Sequence, residues 1–296
     1  MKKLLIAMSA VATMCAFADT EKPADADKAE PAEAEVEKSD DAPLFWGFAN
    51  YGIYSGYQLY GNLVNCEPTL QGYIEGNLNL PLNLGYVGLG AWSNSDLTGR
   101  RWESYHRSFN EWDFNVHYGR TFWFDDDQTW GIDYRFALVW YWYPNHGDHP
   151  KTHLTADINN YFSLVNPYIT PFLNVIHEYH ESKGTVLEFG ALHNFQVSEA
   201  FSLKPSVTFV WRSREYNWCF PTEGFTNPPA NCGLATYKLQ LDATYMFTSW
   251  FGVFGKIAYC QTLDHSLRER AHNSSGAMYA KFPEFVWGGV GVCFNF

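Results

Sequence analysis

The strongest constraint on this chain is a two-residue alternation in the stretch FPEFVWGGVGVCFNF, residues 282–296. Counting back from Phe296, the apolar or small positions are Phe294, Val292, Val290, Gly288 and Val286. Asn295, Cys293, Gly291, Gly289 and Trp287 fall between them. Side chains of a strand alternate between two faces, so this spacing predicts a strand with two different surroundings. An edge strand of a secreted β-sandwich and the closing strand of a membrane barrel both meet that requirement.

Composition separates the two. Aromatic residues make up 18% of the 296 residues, yet mean hydropathy is −0.29. After the first twenty residues nothing reaches the ~20 apolar residues of a spanning helix. A membrane protein without apolar runs must hide its apolar surface in alternation, as a lipid-facing β-barrel does. The expected fold is therefore all-β, a transmembrane antiparallel β-barrel. In such a barrel a final strand closing on Phe296 serves as the C-terminal signal read by the barrel assembly machinery.

Residues 1–18 read as a secretory signal peptide. Lys2 and Lys3 give the charged start, Leu4 to Ala16 the apolar stretch, and Ala16-Phe17-Ala18 a small-x-small cleavage site near Ala18. Cys15 is lost with it, because Ala12-Thr13-Met14 fits a lipobox poorly. Residues 19–43 are a different kind of sequence, with ten acids against Lys22, Lys28 and Lys38 and no period. Such a segment buries too little apolar surface to fold and is expected as an acidic disordered periplasmic tail. The chain is acidic throughout, with a net charge of −12 and no basic patch, which excludes nucleic acid as a partner.

Residues 44–296 form the expected barrel, with twelve candidate strands near 45–57, 67–80, 84–94, 108–119, 129–143, 151–163, 167–180, 184–197, 200–214, 234–247, 250–263 and 282–296. Each suffices for the ~9–11 residues of a tilted membrane-crossing strand. Every second connection is short: Pro81-Leu82-Asn83, residues 125–128, residues 164–166, Ser198-Glu199 and Thr248-Ser249. Residues 95–107, 144–150, 215–233 and 264–281 are much longer. Short periplasmic turns opposite longer extracellular loops are the outer-membrane arrangement.

The faces agree. Phe201, Leu203, Val207, Phe209 and Trp211 alternate with Ser202, Lys204, Ser206, Thr208 and Arg212. Tyr237, Leu239, Leu241 and Tyr245 alternate with Lys238, Gln240, Asp242 and Thr244. The polar face lines the lumen. It collects Glu75, Glu111, Asp113, Asp133, Asp157, Glu178 and Glu188 from the earlier strands, with Arg135 among them. Lys204, Arg212, Arg214, Lys238 and Lys256 follow on the later strands, with Asp242 among them. Acids on one wall and bases on the other would set a field across a pore and filter solutes. Alternatively, these charges pair across a narrow lumen and hold the barrel closed.

Cys219 and Cys232 share the longest loop, where a disulfide would contribute ~3 kcal/mol in the chain-entropy model. Cys66, Cys260 and Cys293 have no obvious partners. No Cys/His spacing suits a metal, and no cofactor is expected.

Residues 55–96 carry a more specific pattern. SGYQLYGNLVNCEPTLQGYIEGNL, a turn, then LGYVGLGAWSNSDL resembles the start of the TorF-type porins. The matched residues are Ser55, Tyr57, Gly61, Pro68, Gln71, Gly72, Gly85, Tyr86, Gly88, Ser93, Asn94 and Asp96, with the C-terminal Phe296. Tyr60 stands where that family usually has Arg. The resemblance implies an outer-membrane barrel and a pore, and supplies no substrate.

A lipid-hydrolase reading has less to stand on. His193 lies beside Asn194 near the lipid face, but no serine in a nucleophile motif accompanies it, and Ser213-Arg214 is too common a dipeptide to count. His146, His149 and His153 sit in or beside one outer loop, and His177 and His180 flank Glu178; histidines so placed are usually solvated or girdle residues. The sequence therefore predicts a bacterial outer-membrane porin-like channel without catalysis, passing small hydrophilic solutes and touching lipid and the assembly machinery. A closed structural or adhesive barrel acting through its outer loops is the alternative.

Overall fold

The computed structural model describes residues 43–60, 62–65, 67–97, 110–142, 154–180, 182–219, 232–265, 267–268 and 284–296. The signal peptide and residues 19–42 of the acidic tail lie outside them, as do Cys66, His146, His149 and His153.

The strands are β1 (Phe45–Tyr54), β2 (Tyr57–Leu59), β3 (Asn62–Asn65), β4 (Thr69–Asn79), β5 (Tyr86–Asp96), β6 (Asn110–Trp123), β7 (Gly131–Trp142) and β8 (Leu154–Val165). They continue with β9 (Thr170–Glu178), β10 (Thr185–Leu192), β11 (Phe195–Ser198), β12 (Phe201–Arg212), β13 (Gly233–Met246), β14 (Phe251–Thr262) and β15 (Glu284–Asn295). One short helix, α1 (Arg214–Cys219), follows β12. No helix among the described residues is long and apolar enough to cross a membrane.

Each barrel strand pairs antiparallel with its neighbours in the wall, and β15 returns to pair with β1 from Phe48–Asn295 to Tyr54–Gly289. The result is a closed barrel of twelve staves, β10 and β11 together forming one of them. Closure leaves no free sheet edge along the main wall, which lipid would not tolerate. At the seam, Gly47 and Phe296 exchange two backbone hydrogen bonds, at 2.6 and 2.9 Å. The Phe296 ring lies over Gly47 so closely that a Cβ there would collide with it.

The alternation read from sequence is the alternation of the wall. On β13, Thr236, Lys238, Gln240 and Asp242 are buried while Leu239 and Leu241 are exposed. On β7, Asp133, Arg135, Val139 and Tyr141 are buried, and Ile132 and Trp142 are exposed. The outward face is thus apolar and the inward face polar, the inverse of a soluble core and the requirement of a lipid-facing barrel.

Three features depart from the expected strand map. Residues 57–65 leave the wall and form a separate two-stranded sheet, β2–β3, instead of an outward loop. The eighth stave breaks at His193 and Asn194, after which β11 pairs with β12 alone. The connection from Tyr179 to Gly184, at the end of the long loops, is as short as the turns at the opposite end, and the Glu178 carboxylate accepts backbone N–H groups of His180, Ser182 and Lys183 there.

Candidate functional site: the barrel lumen

The lumen is lined in sequence order by the inward faces of β4 to β14. Glu75, Glu111, Asp113, Asp133, Arg135, Asp157, Glu178, Glu188, Lys204, Arg212, Lys238 and Asp242 are all between 0% and 8% exposed. Lys256 is half-buried, its ammonium 5.8 Å from the Tyr54 ring centre. Arg214 departs from the expectation. Ser213 and Thr185 exchange hydrogen bonds at the strand end, α1 begins at Arg214, and its side chain is exposed beyond the wall.

Acids occupy β4 and β6–β10, and bases dominate β12–β14, so the two signs face each other across the barrel. Asp157 and Glu178 are register partners on β8 and β9. Lys204, Asp242 and Lys256 are consecutive register partners across β12, β13 and β14. An acid there lies between two ammonium groups, which offsets part of their mutual repulsion.

Toward the short-turn end of the barrel, a polar cluster occupies the space beside β5. The Arg135 Nη2 lies 2.7 Å from Glu75 Oε2. Tyr73 donates to the same oxygen at 2.5 Å, and Asn77 donates to Oε1 at 2.9 Å. His117 joins through Nε2 to the Asn77 carbonyl oxygen at 2.7 Å and through Nδ1 to that of Asn115 at 2.8 Å. The inward positions of β5 at this level are Gly88 and Gly90, and a Cβ at Gly88 would collide with Asn77 and His117. Glycine here gives side chains from β4 and β6 the room to meet, which is how a charge buried this deeply acquires the partners it needs.

Toward the long-loop end, residues Tyr57–Tyr60 of the β2–β3 hairpin lie inside the barrel. Tyr57, Gln58, Leu59 and Tyr60 are 0% to 3% exposed. The Tyr57 and Trp92 rings pack at 5.5 Å, and the Tyr60 and Tyr216 rings meet edge-on at 5.9 Å. Trp287 Nε1 donates to the Gly56 carbonyl at 2.8 Å. Arg212 Nη2 and Thr236 Oγ1 both donate to the Tyr60 carbonyl, at 2.9 and 2.7 Å. Burial pushes the Tyr216 phenol, on α1, well above its ordinary pKa, so it stays neutral beside Arg212.

Among the other expected lumen residues, Asp157, Asp133 and Glu188 have local partners. Tyr141 donates to Asp157 at 2.9 Å, Thr121 to Asp133 at 2.5 Å, and Asn174 to Glu188 at 3.2 Å. Sequence reasoning named the charges and missed the neutral groups that hold them: Tyr73, Asn77, Asn115, His117 and Tyr141. The signal was present, since Gln71, Tyr73, Glu75 and Asn77 form a polar run at period two. Tyr57 to Tyr60 had no such signal.

His177 is exposed and shares a hydrogen bond with Thr185, and His193 stacks edge-on against Phe195 at 4.4 Å. Cys260 is buried with Tyr54, Ala258 and Trp287, and Cys293 Sγ lies 3.9 Å from the Met246 sulfur. Cys232 is exposed, and the side chain of Cys219 lies outside the described residues, so the expected loop disulfide falls partly outside them.

No protein-family model matches the chain, and no curated protein matches it by sequence. Among solved structures it is similar to the outer membrane phospholipase A from Escherichia coli, at 10% identity over 84% of this chain and 92% of that one, with a TM-score of 0.44. It is similar to an outer membrane channel from Pseudomonas putida F1, at 9% identity over 91% of this chain and 100% of that one, with a TM-score of 0.48. The transport unit of the autotransporter AIDA-I from Escherichia coli gives 10% identity over 87% and 92%, with a TM-score of 0.40. These proteins differ in what they do, and at such identities none of their activities carries over to this chain.

Proposed function

We propose that the protein is a bacterial outer-membrane channel for passive diffusion of small hydrophilic solutes, closed in the conformation described. The observation that carries this reading is the lumen itself. Ionisable side chains from β4 to β14 project into a barrel whose outer face is apolar. Such groups are costly at membrane depth, and they gather where water or solutes pass. The opposed acidic and basic walls would orient a charged solute in transit. The resemblance of residues 55–96 to the TorF-type porins favours the same function. On this reading the signal peptide is removed near Ala18, the barrel assembly machinery and lipid are the partners, and neither catalysis nor a cofactor is involved.

The filled lumen favours a second function, a closed barrel that acts through its outer loops. Single-channel recording of the refolded mature protein in a planar bilayer separates the two. Discrete ohmic steps are expected for the channel. Silence from a barrel shown to be folded by heat-shifted gel mobility, including silence after the inward hairpin is removed, would establish the closed barrel instead.

A further inference from the structure

The β2–β3 hairpin has the build of a removable part. It is a sheet of its own, hydrogen-bonded to no barrel strand in a ladder. Two-stranded hairpins are marginal on their own, so its place in the lumen depends on what grips it. The described hydrogen bonds to its backbone cluster at two points: Trp287 and Thr69 hold the Gly56 carbonyl at the root, and Arg212 and Thr236 hold the Tyr60 carbonyl, while the Tyr57 and Tyr60 rings pack on Trp92 and Tyr216. Tyr60 sits at φ 47, a left-handed conformation that a bulky residue adopts only when its surroundings impose it. The two donors from β12 and β13 supply that constraint. They come from the wall opposite the acids, and they engage a backbone carbonyl, so the grip does not depend on the side chain at position 60.

We propose that Tyr57–Tyr60 is an autoinhibitory plug of the channel, latched by Arg212 and Thr236 on the Tyr60 carbonyl, and that release of this latch opens the outer half of the lumen. The proposal rests on the channel reading. The latch on the Tyr60 carbonyl has two discrete arrangements, held and free. The free arrangement relieves the backbone at Tyr60 and uncovers the polar lumen wall around it. Hairpin withdrawal leaves every rung of the barrel ladder intact, so opening needs no rearrangement of the wall.

Two variants test it alongside the wild type in planar bilayers, each checked for folding by heat-shifted mobility. One replaces residues 57–65 by a short Gly-Ser linker. The other, Arg212→Gln with Thr236→Val, keeps the hairpin and weakens its latch. The wild type should open rarely, the linker variant should conduct steadily, and the latch variant should raise the open fraction by about thirtyfold, as expected for two lost hydrogen bonds. Wild type and variants conducting alike would overturn the plug and leave the channel standing. Silence from all three folded proteins would overturn both.

Discussion

Arg135 on β7 places its guanidinium 2.7 Å from the Glu75 carboxylate on β4, although β5 and β6 stand between those strands in the wall. The pair bridges the inner curve of the barrel, and both side chains are nearly inaccessible. A buried ion pair is a poor source of net stability, but losing one partner strands the other charge. Glu75→Ala should therefore destabilise the folded barrel by about 3–5 kcal/mol, and the double variant Glu75→Met with Arg135→Met should recover most of that loss. Denaturant unfolding in lipid vesicles measures both. Additive losses in the double variant would show that the two residues are not coupled.

Gly88 gives a steric test of the same cluster. Gly88→Val places a branched side chain where Asn77 and His117 now meet. Overpacking of this kind costs about 1–3 kcal/mol. The expected result is a lowered unfolding midpoint with strand content retained, read by circular dichroism. A midpoint equal to the wild type would mean that the cluster has room to spare.

The lipid face makes a separate prediction. Leu239 lies near the middle of β13 and points outward. Leu239→Arg should reduce folding stability in vesicles by about 2–4 kcal/mol, the cost of a cation near the bilayer midplane. Gln240→Arg, one residue along and facing inward, should cost less, because it meets the polar lumen beside Asp242. Equal losses would contradict the assignment of faces.

The opposed charges of the lumen predict ion selectivity. Exchanging Lys204, Arg212 and Lys238 together for Glu removes most of the basic wall and should shift the reversal potential toward cation preference. The hairpin-free barrel is the better background, since Arg212 also grips Tyr60. An unchanged reversal potential would reject the basic wall as a selectivity element.

Much of this was legible in the sequence because a strand converts spacing into direction. Once Lys204 and Asp242 sit at the right parity on their strands, their burial follows from closure of the barrel. Arg214 shows the limit of that rule: parity still places it inward, but the strand ends at Arg212 and the helix takes over. The pairing of Glu75 with Arg135 was not legible, because the two meet across the lumen, where no local spacing applies. Nor was the inward turn at Tyr57, since Tyr-Gln-Leu-Tyr would suit an outer loop equally well. The break at His193 and Asn194 also escaped, because apolar residues resume at Phe195.

On the outer-membrane reading, that break bears on how the barrel would sit in its bilayer. Pairing of β9 with β10 stops at Thr170–Leu192, but β11 and β12 carry the wall further toward the short-turn end. Phe195 and Val197, both half or more exposed, lie on this overhang. This stave therefore carries apolar side chains past the point where its β9 neighbour stops. A flat membrane meeting an uneven belt is matched when the cylinder leans, so that the deeper side sinks further between the inner headgroups. In a membrane, this overhang would be the side toward which the barrel is expected to lean.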